Sequence, residues 1–311
     1  MQRTTRLAAV ALTLTALLAG GCEMLDDAAF EDDFELFSAD PADALDVGAT
    51  DATRDDVDCS RSGLGEDASA VYLTAYVVVD GELGAVCLGE PDPVLENIWA
   101  SLAAMAPAEL REDLSLFTLF EGVEESDDVT LAFVITADDE GRSFQMSFNA
   151  EESQADPDEL LLTIAHEFSH VFTGTLDELD RVMHPDDCTT YDNGEGCYLD
   201  GSMMLSWIET FWSDEQIGEV DPNEEAQVAD GEERCAADPG FFGDYAASTP
   251  EEDFAEAFSA FVLRIEPNSD AQAARLGWFE SWPLLTEVRD RAAAAALGPL
   301  DNRFGQCGTD V

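Results

Sequence analysis

The chain is 311 residues long, 46% hydrophobic, and carries 69 acidic side chains against 13 basic ones, all of them Arg, for a formal net charge of -56 at pH 7. So few cations exclude nucleic acid as a partner and disfavour anionic membrane surfaces, because both are bound through Lys and Arg. The apolar content and 18 Phe argue for a packed core with charge massed on its surface, and against wholesale disorder.

Residues 1–21 read as a signal peptide. Arg3 and Arg6 precede an apolar run from Leu7 to Leu18, and Ala19-Gly20-Gly21 leads into Cys22. The run is too short to span a bilayer comfortably. Its ending resembles a bacterial lipobox, with Ala19 where that motif prefers Leu; this implies cleavage before Cys22 and lipidation of its thiol. Ordinary secretion is the alternative. The expected location is the bacterial cell envelope, facing periplasm or exterior, with the lipid as the only membrane contact.

Seven Cys is an odd number, and assigning Cys22 to lipid leaves Cys59, Cys87, Cys188, Cys197, Cys235 and Cys307. Six Cys in an exported chain suggest three disulfides. Cys188 and Cys197 flank Asp192-Asn193-Gly194, a turn, and form the clearest pair. Elimination then leaves Cys59–Cys87 and Cys235–Cys307 as the expected partners among the pairings the count allows.

Residues 22–66 are dense in Asp and Glu and lack periodicity, as expected of a disordered acidic tether. The remainder, 67–311, is expected to be one functional domain, with a sheet subdomain at 67–175 and a helical one at 176–311. Ala70–Val79 is rich in β-branched and aromatic residues and runs into Asp80-Gly81, a strand followed by a turn. Pro93 opens a helix that ends before Pro107. Leu114–Phe120 and Val129–Thr136 read as strands. In Arg142–Asn149, Phe144, Met146 and Phe148 alternate with polar residues, the mark of a half-buried or edge strand.

A long helix is expected over Asp158–Phe172, its buried face formed by Leu161, Ile164, Ala165, Phe168 and Phe172. A polar, Cys-bounded loop, a helix near Ser202–Trp212 and an acidic stretch to Ala237 follow. Helices are then expected from Pro250 to about Ile265 and within Arg275–Leu297. Strand, helix, strands and a long helix make an α+β order.

Within the long helix, His166-Glu167-Phe168-Ser169-His170 is an H-E-x-x-H sequence. Spacing of i and i+4 stacks both imidazoles on one side, where they can ligate one metal ion. Glu167 projects beside them, placed to take a proton from an activated water. A third ligand is needed. The metzincin extension would require Gly at Thr173 and His at Leu176, so it fails. His184 and Glu195 lie on loops. A better candidate is Glu252, on a helix with Thr249 as N-cap, Pro250 as first residue and Glu252 at the capping-box spacing. Phe254, Phe258, Phe261 and Ile265 form that helix's buried face, while Glu252 and Glu256 share another. Glu251 and Asp253 read as solvated neighbours.

H-E-F-S-H followed by Glu252-x-x-Ala255-Glu256-Ala257-Phe258, with Tyr245 seven residues before Glu252, resembles gluzincin metallopeptidases of the anthrax lethal factor and Pro-Pro endopeptidase type. It is most similar to the bacterial zinc-binding metallopeptidase lipoproteins. The resemblance covers Phe144 to Ile265, specific at the two motif helices and loose between them. It implies a zincin-like α+β fold, a small mixed sheet with an active-site helix and a mainly helical C-terminal part. It also implies one Zn2+ held by His166, His170 and Glu252. Glu167 would be general base and proton donor, Tyr245 the hydroxyl that stabilises an oxyanion, and Glu256 the group orienting a liganding imidazole. In such folds an edge strand pairs with extended peptide or protein substrate, and Arg142–Asn149 holds that place in the order. The implied function is a lipid-anchored zinc endopeptidase. The alternative is a catalytically silent zincin-fold module that binds peptides or proteins.

Overall fold

The computed structural model describes residues 49–54, 57, 59, 64, 70–122, 130–138, 140–222, 226–304 and 307. The signal segment, Cys22, and Phe30, Phe34 and Phe37 of the acidic stretch lie outside the described residues.

Strand β1 (Ala70–Val79) and β2 (Glu82–Leu88) form a hairpin. Its turn is Asp80-Gly81, both at positive φ (52° and 73°), the backbone that a two-residue turn demands. Helix α1 (Pro93–Met105) starts at Asp92, whose side chain accepts from the amide of Val94, and α2 is a single turn, Ala108–Arg111. Then come β3 (Leu114–Gly122), β4 (Ala132–Thr136) and β5 (Phe144–Asn149). The sheet runs β2-β1-β3-β5-β4. All neighbours are antiparallel except β3 and β5. The architecture is therefore α+β, with a five-stranded mixed sheet.

This order corrects one expectation. Arg142–Asn149 is not the edge: β5 lies inside the sheet and every one of its residues is buried, while β4 forms the rim and pairs Val134 with Met146 and Thr136 with Phe144. The polar positions of β5 are covered too, because they bond across the sheet. Gln145 donates to the Tyr72 hydroxyl at 2.8 Å, and Thr118 donates to Ser147 at 2.8 Å. Over that face sits a small second core of Leu64, Tyr72, Ala75, Leu116 and Phe120.

Within the stretch read as tether, the described residues are held against the sheet. The Thr50 amide donates to Leu83, the Ala85 amide to Ala52, Arg54 to Val78, and Cys59 is bonded to Cys87. The other bonds are Cys188–Cys197 and Cys235–Cys307, so all three expected pairs form.

Helix α3 (Pro157–Thr173) packs on the main core face of the sheet. After it come the short pair β6 (Leu179–Asp180) and β7 (Cys197–Tyr198), then α4 (Met203–Phe211), the turn α5 (Asp214–Ile217), α6 (Val228–Ala237), α7 (Pro250–Val262), α8 (Asp270–Phe279) and α9 (Pro283–Ala294). Strand β2 and helix α6 had no counterpart in the sequence reading. Aromatic packing joins the late helices to α3: Phe172 meets Phe254 and Phe258 at 6.1 and 5.2 Å, and Phe279 contacts Trp207, Phe254, Phe258 and Phe261. Among the described residues, no helix is long and apolar enough to cross a membrane.

Candidate metal centre

Helix α3 begins where the sequence provides a cap. Asp156 accepts from the amides of Asp158 and Glu159, Pro157 is the first helical residue, and both first-turn acids suit the positive end of the helix. Its stripe of Leu161, Ile164, Ala165, Phe168 and Phe172 is buried. Burying each of the four larger side chains contributes about 1.5–3 kcal/mol, enough to fix the helix's rotation about its axis. The rotation turns Glu159, Thr163, His166 and His170 toward an open cleft.

Helix α7 approaches that side of α3 with its first turn. Thr249 caps it by accepting from the Glu252 amide at 3.3 Å. Only half of the expected capping box forms, because the Glu252 carboxylate turns to the imidazoles instead of back to the cap. Its Oε2 lies 3.0 Å from His166 Nε2, and its Oε1 lies 3.8 Å from His170 Nε2. The two Nε2 atoms are themselves 3.3 Å apart. One ligand atom from each of His166, His170 and Glu252 falls within 4.8 Å of the other two.

This convergence has a physical meaning. Two imidazole nitrogens face each other, and the buried Oε2 of Glu252 meets one of them at 3.0 Å, where a proton on His166 bridges the pair. Three such acceptor atoms can converge only around shared protons or a cation, and a single metal ion satisfies all three at once. Two imidazoles and one carboxylate form a donor set suited to zinc. The residues present therefore fit the ion that the motif implies. Glu256, one turn along α7, places Oε1 3.6 Å from His166 Nδ1 and so favours the tautomer whose Nε2 is free to ligate.

No protein-family model matches this chain, and no curated protein matches it. Among solved structures it is similar to a candidate zinc-binding metallo-peptidase from Bacteroides caccae, at 13% identity and a TM-score of 0.27. The chain spans 65% of the length of that protein, and the likeness covers 65% of this chain. A likeness of that size decides nothing about chemistry.

Electrostatics within the site are strongly coupled. Burial disfavours the His166 cation, but Glu252, Glu256 and Glu167 outweigh it and hold the ring's pKa up at about 10. Burial pushes His170 down to about 4. Burial raises Glu167 to about 7 and Glu256 to about 7. For Glu252 burial acts upward, yet the two imidazoles prevail and keep it below the ordinary range. Tyr245 sits in the segment before α7, its ring 6.1 Å from His166 and near parallel to it, with its hydroxyl toward Glu252. Burial raises its pKa, so it stays a neutral phenol and a hydrogen-bond donor.

The cleft has a volume of about 1380 Å³. Residues 130–136 of the β4 rim form one wall, and the start of α6 with Phe242–Tyr245 forms another. His184 takes no part: its side chain is 70% exposed and caps a short turn. Glu195 lines the cleft, but its carboxylate is bound to Arg181 at 2.6 Å.

Two expectations about neighbours fail. Asp253 is not solvated. It is fully buried and accepts from Trp207 Nε1 at 3.1 Å, Trp212 Nε1 at 3.0 Å and Arg275 Nε at 3.0 Å. Burial still pushes its pKa up to about 6, against the pull of Arg275. Glu251 is not solvated either, since its Oε1 is buried without a hydrogen bond and burial raises its pKa to about 7. The partners of Asp253 lie 22 to 46 positions away, beyond the reach of local pattern reading.

Proposed function

We propose that the chain is an exported zinc-dependent endopeptidase. The observation that carries this reading is the convergence of one ligand atom each from His166, His170 and Glu252 on the wall of an open cleft that Glu167 also lines. Zinc held by these three residues would supply Lewis-acid activation of water and of the scissile carbonyl.

The chain's own groups supply the rest. Glu167, almost wholly buried and with its pKa near 7, is suited to accept a proton from the attacking water. It then delivers that proton to the leaving nitrogen. Tyr245 donates a hydrogen bond to the oxygen on which negative charge develops, while Glu256 keeps the His166 ring in place. The substrate is a peptide or protein bound extended along β4. Residues 130–136 line the cleft there, and the five of β4 offer about 17 Å of strand for backbone pairing.

Three disulfides support export, since such bonds persist in oxidising compartments. Lipidation at Cys22 would then keep the enzyme at the cell envelope. Digestion of a peptide library tests the function, with Glu167→Gln as control. Wild type should cleave, and the variant should bind one zinc per chain yet lose about 10²- to 10⁴-fold in kcat. A zinc-loaded wild type that cleaves nothing at low and high salt would overturn the reading in favour of a silent peptide-binding module.

A further inference from the structure

The segment carrying Tyr245 is a turn between α6 and α7, closed locally by the Ser248 amide and hydroxyl, which donate to the Tyr245 carbonyl at 2.9 and 2.6 Å, and anchored from outside by α6. Helix α6 approaches at Gly231, where a Cβ would sit 1.7 Å from the carbonyl oxygen of Asp244. One turn along, the Arg234 guanidinium donates from Nε to the Ala247 carbonyl at 2.6 Å and from Nη2 to the Ser248 carbonyl at 2.7 Å. The three carbonyls bracket Tyr245 on both sides. The forked arrangement suits Arg and not Lys, which offers a single point charge. Arg234 is 8% exposed, its guanidinium lies over the Trp212 ring at 5.9 Å, and the adjacent Cys235 is tied to Cys307.

We propose that Arg234 is the positioning residue for Tyr245, with Gly231 permitting the close approach of the helix that carries it. The inference rests on the peptidase reading for its catalytic consequence. Two long-range hydrogen bonds to consecutive carbonyls, just before the Thr249 cap, fix the path of the turn. That path decides whether the Tyr245 hydroxyl points at Glu252 and the reacting carbonyl or swings into the cleft. A misplacement of about 1 Å costs up to about 100-fold in rate, so the effect falls on turnover and not on metal retention.

The test uses the full-length protein with 3-fluorotyrosine at position 245, read by 19F NMR, and peptide cleavage by the unlabelled variants. Arg234→Lys should shift or broaden the 19F resonance. It should also lower kcat about 10- to 100-fold with KM little changed and zinc content unaltered. In a Tyr245→Phe background the same substitution should have almost no further effect on kcat, because the group it positions is gone. Arg234→Gln, which keeps a planar donor on a shorter stem, should behave alike and serves where Arg234→Lys fails to fold. An unchanged 19F signal, or a loss in kcat that multiplies that of Tyr245→Phe, would overturn the proposal. Absence of cleavage by wild type would overturn the peptidase reading instead, while the 19F resonance still decides whether Arg234 holds the ring.

Discussion

Removing the carboxylate of Glu256 should weaken zinc binding without unfolding the protein. Its Oε1 lies 3.6 Å from His166 Nδ1, and both side chains are mostly buried. For two full charges at that separation, an effective dielectric of about 20 gives an interaction of about 5 kcal/mol. A zinc-bound imidazole is neutral and only polarised, so a fraction of this survives. The general cost of losing such a partner is about 10- to 100-fold in metal affinity, or about 1.4–2.7 kcal/mol. Glu256→Gln keeps an acceptor and loses charge, and Glu256→Ala loses both, so affinity should fall in that order. Competition against a chelator of known zinc affinity measures it, with thermal unfolding of the zinc-free proteins run alongside. Affinities within about threefold of wild type for both variants would refute the claim that this carboxylate orients the ring.

Asp253→Ala should destabilise the fold by about 3–5 kcal/mol in urea unfolding, because it leaves buried Arg275 with Asp238 as its remaining carboxylate and takes the acceptor from the Trp207 and Trp212 indoles; a change under about 1 kcal/mol would contradict the buried network. Asp156 should give a pH-dependent effect. Its carboxylate is held below the usual range by Arg303 and by the first amides of α3. A depressed acid stabilises fully above its unfolded value, near 3.9, and loses that contribution as pH falls through the lower folded value. Asp156→Ala should therefore cost about 1 kcal/mol at pH 6, with the gap to wild type closing as the pH is lowered through and below about 4. A gap that is the same at both pH values would count against it.

The two motif helices were legible because several signals agree there. Asp156-Pro157 and Thr249-Pro250 mark the starts, apolar residues at helical spacing set the buried faces, and rare histidines stand out in an acidic chain. Cysteine parity gave the number of disulfides, and the Asp192-Asn193-Gly194 turn gave the Cys188–Cys197 pair. The edge strand was misread because alternation cannot distinguish water from a buried hydrogen-bonded network, and Gln145 and Ser147 meet such a network. Asp253 was misread because acidic composition suggests solvent, while its partners come from α4, the turn after it, and α8. Helix α6 is acidic and contains Gly231, a poor helix former on propensity. Contact with Asp244 explains that glycine, and no local pattern contains it.

Zinc K-edge absorption spectroscopy of the purified protein tests the central claim most directly. Two imidazole nitrogens at about 2.0–2.1 Å and a carboxylate oxygen at about 2.0–2.2 Å are predicted, with one imidazole lost in His170→Ala. Sulfur at about 2.3 Å, or a shell without imidazole, would contradict a centre built from His166, His170 and Glu252.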